Sequence, residues 1–242
     1  MLYLCIPTHN EAPTAGLLLW RIRRVFQDYP REYEIIVFDD ASSDGTAETL
    51  AAYREVLPLT ILGSQRHVGY ARALESCFRT ANERSRYPRR DAIIVMQGDF
   101  TDAPDYIPEL VRRFEGGADV VSAERTTVAE MPAAVKHLRR LGHWLIGDRA
   151  KNLGTTDPLS GFRLYRLAVV RELLKRATDD RLLGVDGPPA NAELLIAAAR
   201  VARRLESVSV APRYELRQRE TRVRTGRQTM ALIRLRRRLA VG

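Results

Sequence analysis

Short apolar runs that empty into acidic or polar clusters recur along this chain, and that alternation constrains its fold more than any other feature. Leu2 to Ile6 runs into Pro7-Thr8-His9-Asn10-Glu11, Glu34 to Phe38 into Asp39-Asp40, and Ala92 to Met96 into Gln97-Gly98-Asp99. Leu59 to Leu62 and Asp119 to Ala123 repeat the apolar part. Continuous short runs of this kind fit strands buried on both faces. Between them the apolar period becomes that of a helix. Leu18, Ile22, Val25 and Phe26 form an inner stripe over 14–27, with Arg21, Arg23 and Arg24 mostly opposite, and further helices are expected from about 46 and over 68–85. The alternation predicts a single α/β domain with a Rossmann-like, mostly parallel sheet and helices on both faces. Ligands bind such sheets beyond the carboxyl ends of the strands, where the polar clusters fall.

The second half is less regular. Helices are expected over 132–147, 168–177 and 190–204, a Gly/Thr/Asp/Pro-rich loop over 152–161, and strands at 162–165 and 207–214. No internal repeat is visible. Residues 1–215 are assigned to the domain and 216–242 to a basic tail, in which Met230, Ile233, Leu235 and Leu239 stand among Arg234, Arg236, Arg237 and Arg238. The tail reads as an amphipathic helix on anionic lipid, as a packing helix or as a frayed end.

Composition narrows the partners. The 242 residues suffice for one large core, and 45 % hydrophobic with 29 % charged residues argues against long disorder. Cys5 and Cys77 fall in a predicted strand and a predicted helix, so both read as core residues and fit a reduced, cytosolic compartment. No apolar run approaches the ~20 residues that span a bilayer, and no signal-peptide pattern opens the chain, so a soluble protein or one peripheral to the inner membrane face is expected. The net charge of +9 favours anionic partners: nucleic acid, lipid headgroups or a phosphorylated substrate. Without a zinc-finger spacing or an RNA-binding strand motif, nucleic acid is set aside.

Three clusters carry candidate chemistry. Asp39-Asp40-Ala41-Ser42-Ser43-Asp44-Gly45 follows a strand, where a carboxylate can accept from a base or ribose; a helix cap alone would need only Ser43 or Asp44. Gln97-Gly98-Asp99-Phe100-Thr101-Asp102 could hold Mg²⁺ or Mn²⁺ through oxygen, or simply turn on Gly98 with Asp102 as a cap. Arg66-His67-Val68-Gly69-Tyr70-Ala71-Arg72 could meet an anion at a helix start, or its glycine could merely ease packing. His137 and His143 have no partner at metal-ligand spacing, and Trp20 and Trp144 read as core or interface aromatics.

In this order the segments resemble the inverting family 2 glycosyltransferases of GT-A fold, nearest the polyprenyl-phosphate sugar synthases typified by dolichol-phosphate mannose synthase. Pro7-Thr8-His9-Asn10-Glu11 is similar to the family's Pro-Thr-Tyr-Asn-Glu, and Asp39 to Thr46 to its Asp-Asp-Gly-Ser-x-Asp-Gly-Thr. His67 to Ala71 resembles Asn-x-Gly-x-Gly/Ala, and Asp157-Pro158-Leu159-Ser160-Gly161-Phe162-Arg163 resembles Asp-x-x-Ser-Gly-Phe-Arg. The resemblance implies a nucleotide-sugar site formed by Pro7, Thr8, Asn10, Glu11, Asp39, Asp40, His67, Gly69, Gln97 and Gly98. It also implies a divalent metal at Asp99 with Gln97 and Thr101. Gln97 stands where the family usually has Asp, so one anionic ligand becomes a neutral amide.

The same resemblance implies that Arg125 and Arg163 contact an acceptor phosphate, which is already ionised and needs no base. Arg219, Arg222 and Arg224 stand where a loop can close over the donor. The leading expectation is transfer of a hexose from a UDP- or GDP-sugar to a polyprenyl phosphate. A soluble hydroxyl acceptor would instead require a carboxylate base, for which Asp157 is the candidate. The third reading is a non-catalytic nucleotide-binding module. Base, sugar and oligomeric state do not follow from one chain.

Overall fold

A computed structural model describes residues 1–150, 153–177, 181–216 and 225–241, the side chains of 147–150, 240 and 241 excepted. In chain order the first half contains β1 (Leu2–Thr8), α1 (Ala12–Asp28), β2 (Tyr33–Asp39), α2 (Thr46–Ala51), β3 (Leu59–Gly63), α3 (Tyr70–Arg84), β4 (Ala92–Val95), α4 (Ile107–Glu115) and β5 (Val120–Arg125). Then follow α5 (Ala133–Ala150), β6 (Arg163–Arg166), α6 (Leu167–Arg176), α7 (Pro188–Ala199), β7 (Leu205–Val210) and α8 (Thr225–Val241).

The strands form one sheet of seven in the order β3-β2-β1-β4-β6-β5-β7. Every pairing is parallel except those of β6, which runs antiparallel to both β4 and β5. Strand β1 shows why its apolar run is continuous. Leu2, Leu4 and Ile6 face one core with α1 and α4, while Tyr3 and Cys5 face the other with α3 and α5 to α8. Both cysteines are fully buried free thiols.

The chain runs outward from β1 to β2 and β3, then returns to place β4 on the other side of β1. This reversal puts the topological switch point at the carboxyl ends of β1 and β4, the place where doubly wound sheets hold ligands. Register puts Thr8 beside Asp39, and Cys5 beside Val95 two residues before Gln97. The polar clusters therefore meet along one edge of the molecule.

Two open alternatives narrow. The apolar stripe of α8 takes the packing alternative: Leu232 and Leu235 are fully buried in the same core as α5 and α7, so 225–241 is not a separate tail. Trp20 and Trp144 are not core aromatics, for they are 48 % and 74 % exposed. No helix among the described residues is long and apolar enough to cross a membrane.

Candidate active site

The loops after β1, β2 and β4 interlock. The Asn10 amide donates to Ser42 Oγ at 2.7 Å, and the Ser43 amide returns a bond to Asn10 Oδ1 at 2.7 Å. The Ala12 amide donates to Asp44 Oδ2 at 3.1 Å, so the second cluster caps the helix that follows the first. Among the described residues the only non-glycine residues with positive φ are Asn10 (50°), Ala41 (53°) and Phe100 (62°), one in each loop. Such conformations cost about 1–3 kcal/mol each and persist where surrounding contacts over-determine the backbone.

The nucleotide-side residues divide into two groups. Asp39 ends β2 half-buried and accepts from the Ser42 amide at 3.3 Å. Pro7 lies beside Phe38 and Thr8 beside Asp39 at the strand tips, the Thr8 hydroxyl donating to Phe38 O at 3.0 Å. Glu11 is buried, with its amide donating to Thr46 Oγ1 at 2.8 Å. Asp40 forms the second group: it is 3 % exposed and accepts from the Val68 amide at 2.6 Å and the Gly69 amide at 2.9 Å, with His67 Nδ1 2.9 Å away. Its carboxylate is spent holding the start of α3, and this structural partner also accounts for the His67 contact.

Gly69 has φ +93°, and a Cβ there would meet Asp186 Oδ2 at 2.9 Å, so a close approach demands this glycine. A Cβ on Gly98 would lie 2.7 Å from Thr8 Cγ2, and the Thr14 hydroxyl donates to Gly98 O at 3.0 Å. These contacts seat the β4 loop on the tip of β1.

The β4 loop also reaches toward β5. Asp102 accepts from the Gln97 amide at 3.0 Å and from Arg125 at 2.6 Å, both side chains being buried. Burial raises the Asp102 carboxyl above its usual range; Arg125 pulls it back and Asp99 pushes it up. Burial disfavours the Arg125 cation, but the charges of Asp102, Tyr214 and Asp157 outweigh that and raise it. Arg125 is thus a fixed cation at the end of β5.

Next to it a cleft is lined by Gln97, Thr101, Arg125, Arg139, Asp157 and Tyr214. The sequence reading missed Arg139, which lies in α5, donates to Arg125 O at 2.8 Å and stands 3.5 Å from Asp157 Oδ2. It also missed Asp102 as the partner of Arg125. Helical period alone places Arg139 on a face and gives no reason to single it out. Among the described residues, buried Asp157 Oδ2 and Thr101 Oγ1 have no hydrogen-bond partner.

Arg163 lies apart from the cleft lining. Its side chain is fully buried and donates to Ser122 Oγ (3.0 Å), Asn191 O (2.9 Å) and Asp157 O (2.9 Å). It ties β5, α7 and the 153–162 loop together and orients Asp157 without reaching the cleft. Arg219, Arg222 and Arg224 lie outside the described residues.

Asp99, with its Oδ1 accepting from the Thr101 amide at 3.1 Å, shares this loop with the Gln97 amide and the orphaned Thr101 hydroxyl. A set of oxygen donors with one carboxylate fits a hard divalent cation that draws its other ligands from a diphosphate.

A switch point flanked by strained polar loops, with an arginine-lined cleft alongside, marks a GT-A-type α/β domain. The chain belongs to glycosyl transferase family 2, whose model matches residues 3–174. The dodecaprenyl-phosphate galacturonate synthase of Rhizobium johnstonii is 34 % identical over 179 residues, covering 71 % of this chain and 49 % of that protein. The dolichol-phosphate mannosyltransferase of Pyrococcus furiosus is 29 % identical over 170 residues, covering 68 % of this chain and 46 % of that protein. The chain spans about half the length of such relatives.

Among solved structures, the glucosyl-3-phosphoglycerate synthase of Mycobacterium tuberculosis in complex with Mn²⁺, UDP and phosphoglyceric acid has a TM-score of 0.66 at 19 % identity, over 96 % of this chain and 76 % of that one. S. aureus TarS in complex with UDP has a TM-score of 0.56 at 19 % identity, over 87 % and 59 %. These likenesses show the fold.

Proposed function

We propose that the domain transfers a hexose, with inversion, from a UDP- or GDP-sugar to a polyprenyl phosphate at the cytoplasmic face of a membrane. The observation that carries this reading is the pair of arginines, Arg125 and Arg139, lining one cleft beside the Asp99 loop. A phosphate monoester arrives ionised, so its attack on the sugar needs orientation and charge stabilisation and no proton acceptor. Guanidinium groups match phosphate oxygens in fork geometry, which favours arginine at such a position. The names of the polyprenyl-phosphate relatives support the same acceptor class.

Asp39, Asn10 and the β1 tip would receive the nucleoside. Asp99, with Gln97 and Thr101, would hold Mg²⁺ or Mn²⁺, which when bound neutralises the leaving diphosphate. Arg125 is preorganised by Asp102, so it pays little reorganisation when charge develops beside it. The assay is radiolabelled UDP- and GDP-sugars with undecaprenyl phosphate, and label extracted into the lipid phase is the expected result. No lipid-linked label across donors and metals would count against the reading.

Asp157 Oδ2, buried, 3.5 Å from Arg139 and without a hydrogen bond among the described residues, favours a second reading in which it serves as base for a hydroxyl acceptor. Asp157→Asn separates the two. It abolishes transfer to a hydroxyl, whereas transfer to a phosphate survives with altered KM.

A further inference from the structure

Helices α5 and α8 pack side by side, both pressing their apolar stripes into the core that also holds α7. Their opposite faces lie in solvent. On α5 that face carries His137, Arg140 and Trp144; on α8 it carries Arg227, Met230, Arg234 and Arg237. Residues 133–146 and 225–241 contain no aspartate or glutamate. Arg238 is paired with Glu193 at 2.7 Å and Arg227 stands 3.9 Å from Asp186, but among the described residues Arg140, Arg234, Arg236 and Arg237 make no ion pair. Two large side chains sit exposed among these cations, Trp144 at 74 % and Met230 at 52 %.

We propose that the outward faces of α5 and α8 form a docking surface for an anionic lipid bilayer. Among the described residues the charges on these two faces are all positive, and Arg140, Arg234 and Arg237 have no ion pair, which suits anionic headgroups. An exposed indole and thioether among arginines suit the interface just beneath those headgroups, where an apolar body with a polar rim is most stable. A polyanion such as nucleic acid would use the arginines but leaves Met230 exposed and unexplained. The third argument is position. Helix α5 also supplies Arg139, Val135 and Leu138 to the cleft, so the helix that would rest on the bilayer is itself one wall of the cleft. The purpose given to the surface rests on the polyprenyl-phosphate reading; the binding itself does not.

The test is co-sedimentation of the full chain with vesicles of phosphatidylcholine alone or mixed with phosphatidylglycerol, without donor or acceptor. Binding is expected only to the mixed vesicles, weakening as salt is raised. The double variant Arg234→Ala with Arg237→Ala should weaken partitioning roughly 20-fold. Trp144→Ala should also weaken it, with Trp144→Phe retaining most of the binding, and all variants should melt like the wild type. Equal partitioning to both vesicle types, no partitioning, or variants that bind as well as the wild type would overturn the proposal. So would release of the protein from vesicles by duplex DNA at stoichiometric amounts. In detergent, with a short-chain polyprenyl phosphate, the variants should turn over like the wild type; loss of turnover there would overturn a role confined to docking. Inactivity of the wild type in detergent would sink the transferase reading while leaving vesicle binding as measured.

Discussion

Ala41 occupies a left-handed conformation, φ 53°, at the position where the family's pattern has glycine. Replacing it with Gly should stabilise the protein by up to about 1 kcal/mol, read as a higher Tm, because the Cβ clash disappears. Two arginines that look alike in sequence should behave differently. Arg139→Ala should lower turnover about a hundredfold with little change in Tm, since the side chain lines the cleft. Arg163→Ala should lower Tm sharply, because it strands Asp157 O, Asn191 O and Ser122 in the interior. The motif Ser-Gly-Phe-Arg located Arg163 but said nothing of its burial, which depends on β5 and α7. Arg139 had no motif, and its place in the cleft depends on where α5 packs.

Element ends were legible where they are set by local chemistry. A cap was one of two readings of the Asp39–Gly45 cluster, and the Asp44 carboxylate accepts from the Ala12 and Thr46 amides, joining the starts of α1 and α2. Partial burial tends to raise this group, but the Thr46 hydroxyl and these amides outweigh that and hold it below the usual carboxylate range. A folded-state pKa held low means the stabilisation is complete above the unfolded value near 3.9 and is lost as pH falls through the lower, folded value. Asp44→Ala should therefore cost about 1 kcal/mol near neutral pH, with the difference from wild type vanishing in acid melts. Helix α8 makes a converse case. Its mixture of Arg and Leu left packing and lipid binding open, and Leu235, fully buried, decides for packing on that stripe. Leu235→Ala should cost about 2–5 kcal/mol in denaturant unfolding.

For the whole molecule, binding of UDP or GDP with Mn²⁺ should raise Tm, and a chelator should remove most of that rise, since a ligand that binds only the folded state stabilises it by mass action. The sequence alone determined that this is an α/β domain and which end of the strands carries the polar clusters, because hydrophobic period and turn chemistry act between neighbours in the chain. It also carried the family's motifs in order, from Pro7 to Arg163. Only the tertiary structure decided that β6 enters antiparallel between β4 and β5, that the switch point falls between β1 and β4, and that Arg139 lines the cleft while Asp40 and Arg163 do not. Strand order and burial are fixed by contacts between residues far apart in the chain, and a local pattern of side chains is compatible with several such arrangements until the core is packed.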